Sequence, residues 1–272
     1  MRFVNKFLSV LETLHTDSNI EMNRGWDKRP AIILMSVAVC LLALQYLKFN
    51  TTFYSALSAW FQLTTDNPSQ ALQQLRHQSF FPLITQAWWS FWHIVTFVVI
   101  PVIIIKLVLK DSLRHYGIGL GKFRQHLKWY VFLIAPILCF VVIVSFRDDF
   151  SSHYPFYKLA HRSWFDLITW EILYLIQFIC VEFFFRGFII QGCRRSFGVN
   201  AIFIMIVPYL MLHFTKPWLE ASGAIFFGLF LGMLAFYSRT IWGGVMVHVS
   251  IALSMDIAAL IQTKGLPQQW LP

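Results

Sequence analysis

The stretch from Trp164 to Cys193 constrains this chain more than any other. It stays apolar for longer than the ~20 residues that cross a bilayer's hydrocarbon. Yet Glu182 and Arg186 stand inside it among phenylalanines. Backbone polar groups in hydrocarbon have no water to bond, so a run of this kind folds as a helix. Further apolar stretches cover Pro30–Leu47, Pro82–Leu109, Trp129–Phe146, Ala201–Phe214, Ala221–Ser238 and Ile241–Gln262. Together they predict an all-α integral membrane protein with about seven to eight transmembrane helices around a polar intramembrane cavity. The stretch from Ala201 is short and ends at Lys216-Pro217, and Phe53–Leu63 reads as an interfacial or re-entrant helix.

Composition agrees. Hydrophobic residues make up 57% of the chain and charged ones 13%, against about a quarter charged in soluble domains. Mean hydropathy is +0.60. No long polar stretch divides the apolar part, so a cytoplasmic N-terminal segment (1–29) is expected before one polytopic membrane domain (30–272). Met1 to Arg29 is mixed polar and charged and does not read as a signal peptide. Within it Phe3, Val4, Phe7, Leu8, Leu11 and Leu14 have helical spacing, which suits a helix on the membrane surface or one packed on the protein.

The net charge of +9 raises the question of nucleic acid. The basic residues instead flank apolar segments, where they act as orientation signals; no nucleic-acid partner is expected. Lys and Arg concentrate before the first stretch, between the second and third (Lys106, Lys110, Arg114, Lys122, Arg124, Lys128), and at Arg194, Arg195 and Arg239. This places the N-terminus in the cytoplasm and the C-terminus outside, with a prokaryotic inner membrane as the expected location. Cys40, Cys139, Cys180 and Cys193 lie in or beside apolar stretches without C-x-x-C spacing, and read as small packing residues.

A charge at mid-bilayer costs about 2.5–3.5 kcal/mol even on the lenient insertion scale, and such residues face the bundle interior and mark function. Here they are Glu182, Arg186, His213, His248 and Asp256, with His93 and Glu171 nearer the interfaces. Glu182 and Arg186 are four apart on one helix and can pair. A buried pair seldom repays its desolvation, which makes it an odd choice for stability alone. Asp256 follows His248 by two helical turns, on the same face. A glutamate can activate water. Two histidines can hold an oxyanion or join a carboxylate on a divalent metal such as zinc. There is no H-E-x-x-H, so whether a metal is used stays open.

The pattern resembles the CPBP family of intramembrane proteases, also called the CAAX-processing and bacteriocin-immunity (Abi) family. The family's E-E-x-x-x-R reads Val181-Glu182-Phe183-Phe184-Phe185-Arg186 here, followed by Gly187. Its F-x-x-x-H is matched by Tyr209 and His213, and its H-x-x-x-N by His248 and Ala252. The stretches "YGIGLGKFRQHLKW" and "HFTKPWLEASGAIFFGLFLGMLAF" are also similar, and the resemblance covers roughly 113–259. It implies an α-helical membrane core and hydrolysis of a peptide bond in a membrane-anchored protein or peptide. The catalytic set it implies is Glu182, His213 and His248, supported by Arg186, Tyr209 and Asp256. The family's first glutamate is Val181 here and its asparagine is Ala252. Either Glu182 takes the base role, with Asp256 supplying a polar group to His248, or the protein is a non-catalytic scaffold or immunity-type relative. An ion-coupled transporter also uses buried Glu, Asp and His, but no inverted repeat or matched pair of broken helices is present.

Overall fold

The computed structural model describes Ser9, residues 27–216 and residues 218–272. The amphipathic pattern expected between Phe3 and Leu14 lies outside the described residues. Among the described residues from Lys28 onward there are ten helices in order: α1 Lys28–Leu47, α2 Asn50–Thr64, α3 Pro68–Arg76, α4 Phe81–Val108, α5 Phe123–Val144, α6 Asp148–His153, α7 Trp164–Phe197, α8 Asn200–Met211, α9 Trp218–Ser238 and α10 Trp242–Gln262. A 3-10 turn covers Leu113–Tyr116, and no strand occurs among the described residues.

Six helices (α1, α4, α5, α7, α9 and α10) are long and apolar enough to cross a membrane. The expected span Ala201–Phe214 is present only as α8. Its 12 residues reach about 18 Å, short of the ~30 Å hydrocarbon. The interfacial helix expected at Phe53–Leu63 is α2; α3 was not legible in the sequence.

The surfaces have the character of a membrane protein. On α1, Ile33, Val37, Cys40 and Leu44 form one buried stripe at helical spacing. The exposed residues of the same helix include Met35, Val39, Leu42 and Tyr46, as apolar as the buried ones, which suits contact with lipid.

The chain divides into two compact units, and α1, α4, α5, α7 and α10 contribute residues to each. The first unit comprises residues up to Leu41, Phe97–Phe132 and Val181–Val247. Its core is aromatic. Phe97 stacks on Phe184 with ring centroids 4.3 Å apart, and Phe184, Phe185 and Phe188 are fully buried. Helices α8 and α9 approach closely because Gly228 and Gly232 carry no side chain. A Cβ at Gly232 would meet Ile202 Cγ2 at 2.8 Å, and one at Gly228 would meet the Tyr209 ring at 3.1 Å. The loop after the 3-10 turn is clasped to the α9–α10 connection. The Lys122 N–H donates to the Ser238 carbonyl, the Ile241 N–H to Gly117, and the Thr240 hydroxyl to Gly119. Gly121 has φ +47°, and a Cβ there would lie 2.3 Å from the Ser238 carbonyl oxygen, so this turn requires glycine.

The second unit comprises Leu42–Thr96, Leu133–Cys180 and His248–Pro272. Here α7 begins, and its start is locally encoded. Ser163 and Asp166 form a reciprocal cap: the Asp166 N–H donates to Ser163 Oγ at 3.1 Å and the serine hydroxyl donates to the Asp166 carboxylate at 2.7 Å. Arg162 adds a two-pronged bond to the same carboxylate, at 2.9 and 2.7 Å. The next orphan N–H groups of the first turn, on Trp164 and Phe165, donate to the carbonyls of Gln269 and Trp270 in the C-terminal tail. Trp88, Trp89 and Trp92 are half-buried. Trp89 packs on Trp170 and Tyr174.

Candidate functional site

In the first unit the site is built on the second half of α7. The helix widens to π geometry over Phe183–Gln191, a feature that recurs at functional sites. Glu182 is the last residue before this segment and Arg186 lies within it. Both side chains are fully buried, and Arg186 Nη1 lies 3.0 Å from Glu182 Oε1. The guanidinium also lies over the Tyr209 ring, 4.3 Å from its centroid. Tyr209 comes from α8 and is braced edge-on by Phe185.

Two neighbours of this cluster carry no signal in the motifs. At the start of α10, Gly244 faces the Glu182 carboxylate so closely that a Cβ there would lie 1.9 Å from Oε2. Tyr130 packs its ring on Gly243 in the same manner, and its hydroxyl pairs with Ser238 Oγ at 3.2 Å.

His213 follows the end of α8, half-buried. Its Nδ1 lies 3.1 Å from the Tyr209 carbonyl oxygen. A carbonyl only accepts, so Nδ1 carries the proton and Nε2 is the acceptor in the neutral ring. The ring sits 4.8 Å from that of Tyr209. The first unit thus gathers Glu182, Arg186, Tyr209 and His213.

His248 and Asp256 belong to the second unit. His248 is stacked on Phe178, with centroids 5.4 Å apart and planes 11° from parallel. Asp256 is fully buried and accepts the Trp170 indole N–H at 2.7 Å. Eight residues along α10 separate the backbones of His248 and Asp256 by about 12 Å. Asp256 is therefore anchored by a tryptophan that the motifs do not mention. Glu171, on the same turn of α7 as Trp170, is buried, and neither carboxylate oxygen has a hydrogen-bond partner among the described residues. His93 is a satisfied core histidine. Its Nδ1–H donates to the Trp89 carbonyl at 2.8 Å and its Nε2 accepts from the Gln177 amide at 3.2 Å.

A divalent metal needs three or four ligands converging on one point. Among the described residues no three His, Cys, Asp or Glu side chains group in this way. Within each unit the donor set among the described residues does not fit a zinc centre.

Both positions where the motifs lose a polar group are buried, and Ala252 sits in a cluster with Trp170, Tyr174, Leu167 and Leu260.

Residues 163–254 match the family model described as type II CAAX prenyl endopeptidase Rce1-like. The matched segment is about a third of the chain and contains Glu182, Arg186, Tyr209, His213 and His248. Over this segment the chain, an all-α integral membrane protein, is similar to that family. Neither the curated proteins nor the solved structures gave a match.

Proposed function

We propose that this chain is an intramembrane endopeptidase that hydrolyses a peptide bond in a membrane-anchored protein or peptide. One observation carries the reading: within the segment that matches the CAAX-type family, a fully buried glutamate is held by a fully buried arginine at 3.0 Å. Breaking hydrocarbon burial with two full charges needs a functional return.

In this mechanism Glu182 takes the proton of a water, and the resulting hydroxide attacks the scissile carbonyl carbon. The C=O π electrons move onto oxygen as the C–O bond forms. His213, protonated on both nitrogens, donates from Nε2 to that oxyanion while Nδ1 stays on the Tyr209 carbonyl. Collapse of the intermediate breaks the C–N bond, and Glu182 returns its proton to the leaving amine. Arg186 keeps the carboxylate in one orientation throughout and is itself held by the Tyr209 ring. The family resemblance assigns His248 an oxyanion role as well, with Phe178 fixing the plane of its ring, and gives Asp256 a supporting role. The Lys and Arg distribution supports a cytoplasmic N-terminus. Replacing Glu182 by glutamine tests the reading. Cleavage should vanish at unchanged protein level, and retained cleavage would remove Glu182 from the mechanism.

A second reading has its own observation. Val181 and Ala252 stand where the family has glutamate and asparagine; both are buried, and Ala252 is packed in a hydrophobic cluster. A non-catalytic scaffold or immunity-type protein would keep the Glu182–Arg186 pair for its fold alone. It predicts that His213→Ala and His248→Ala leave the biological phenotype intact, whereas the protease reading predicts its loss.

A further inference from the structure

We propose that Gly244 is a positioning residue for Glu182, and that the Gly243-Gly244 step is part of the site. This rests on the reading of Glu182 as the base.

The geometry is specific. A Cβ at Gly244 would lie 1.9 Å from Glu182 Oε2, 2.4 Å from Cδ and 3.0 Å from Oε1. All three atoms of the carboxylate therefore occupy the space that any other residue would fill. The contact does not stand alone. One residue earlier, a Cβ at Gly243 would meet Tyr130 Cζ at 1.9 Å. The first turn of α10 is a side-chain-free floor that receives a carboxylate on one glycine and a phenol ring on the next. By contrast, a Cβ at Gly223 in α9 meets nothing within 4 Å, so close approach is not shared by every helical glycine here.

The floor explains how the carboxylate is fixed. Arg186 binds from one turn further along α7. Gly244 closes another side of the carboxylate at van der Waals distance. Glu182 is thus set between the Arg186 guanidinium and the Gly244 backbone, and a methyl group on residue 244 would push it out of register.

The test is a compensating pair. Gly244→Ala, Glu182→Asp, the double variant and Gly223→Ala are expressed at matched levels in cells lacking the native chain. Cleavage is read as the protein terminus that depends on Glu182, and thermal unfolding is read on the purified proteins. Gly244→Ala should lower cleavage roughly 100-fold, the scale of a 1 Å misplacement, and lower the Tm; Gly223→Ala should do neither. Adding Glu182→Asp, which withdraws the carboxylate by one methylene, should raise both the Tm and the cleavage of Gly244→Ala. If Gly244→Ala does not fold, Glu182→Ala in the same chain should restore the folded yield. Native cleavage by Gly244→Ala, or no recovery in the paired variants, would overturn the proposal. Recovery of the Tm without recovery of cleavage would reduce the contact to packing and overturn it as well. If Glu182→Gln still cleaves, the protease reading itself falls. If Glu182→Gln is inactive while Gly244→Ala is native, only this inference falls.

Discussion

Arg186 and Glu182 are both fully buried, with Nη1 and Oε1 3.0 Å apart across one turn of α7. The pairing offsets part of the cost of burying each charge. Arg186→Leu should destabilise the protein by about 3–5 kcal/mol, because it leaves a carboxylate in an apolar interior without its guanidinium. Replacing both residues by leucine should cost much less than that single change. Thermal unfolding of the purified proteins in one detergent reads the order directly.

Trp170 and Asp256 form the corresponding anchor of the second unit, at 2.7 Å. Trp170→Phe keeps most of the ring but removes the donor. The expected loss is about 1–3 kcal/mol, the cost of leaving a buried acceptor short of a bond. Asp256→Asn keeps an accepting oxygen and should lose less. The comparison again uses thermal unfolding, with expression levels as a second reading.

Asp111 gives a pH signature outside the membrane segments. Burial raises its affinity for a proton, but hydrogen bonds from Arg29 and His115 outweigh this and hold the carboxyl well below the usual aspartate range. The unfolded chain then binds the proton more tightly than the folded one. The stabilisation is fully present above the ordinary aspartate pKa of about 3.9 and is lost as pH falls through the lower folded value. Asp111→Asn should therefore lower the Tm at neutral pH, and the gap from the native chain should narrow below about pH 4. A gap constant over that range would contradict the assignment.

The parts of this architecture that follow one-dimensional rules were legible. Apolar length located five of the six long helices to within four residues at each end, while α5 begins six residues before the expected Trp129, and the i, i+4 rule paired Glu182 with Arg186. The start of α7 at Trp164 was also legible as the onset of its apolar stretch. Contacts between distant parts of the chain were not. Trp170 and Asp256 are 86 residues apart, and nothing in either motif names the other. Gly244 carries no signal of its own in the sequence, because a missing side chain does not announce which group fills its place. The π widening at Phe183–Gln191 likewise depends on how neighbouring helices crowd α7 rather than on local spacing. The shortfall of α8 has a simpler cause. Apolar residues continue to Phe214, but the helix stops at Met211 and gives way to turns, so hydropathy overestimates its reach.

The central claim is that Glu182 activates water. The most direct measurement compares membrane and secreted protein termini in cells carrying the native chain, no chain, or Glu182→Gln at matched levels. The account predicts at least one terminus that appears with the native chain and is lost both without it and with the glutamine variant. Identical termini in all three, together with a phenotype that survives Glu182→Gln, would contradict it and leave the buried pair as a structural element.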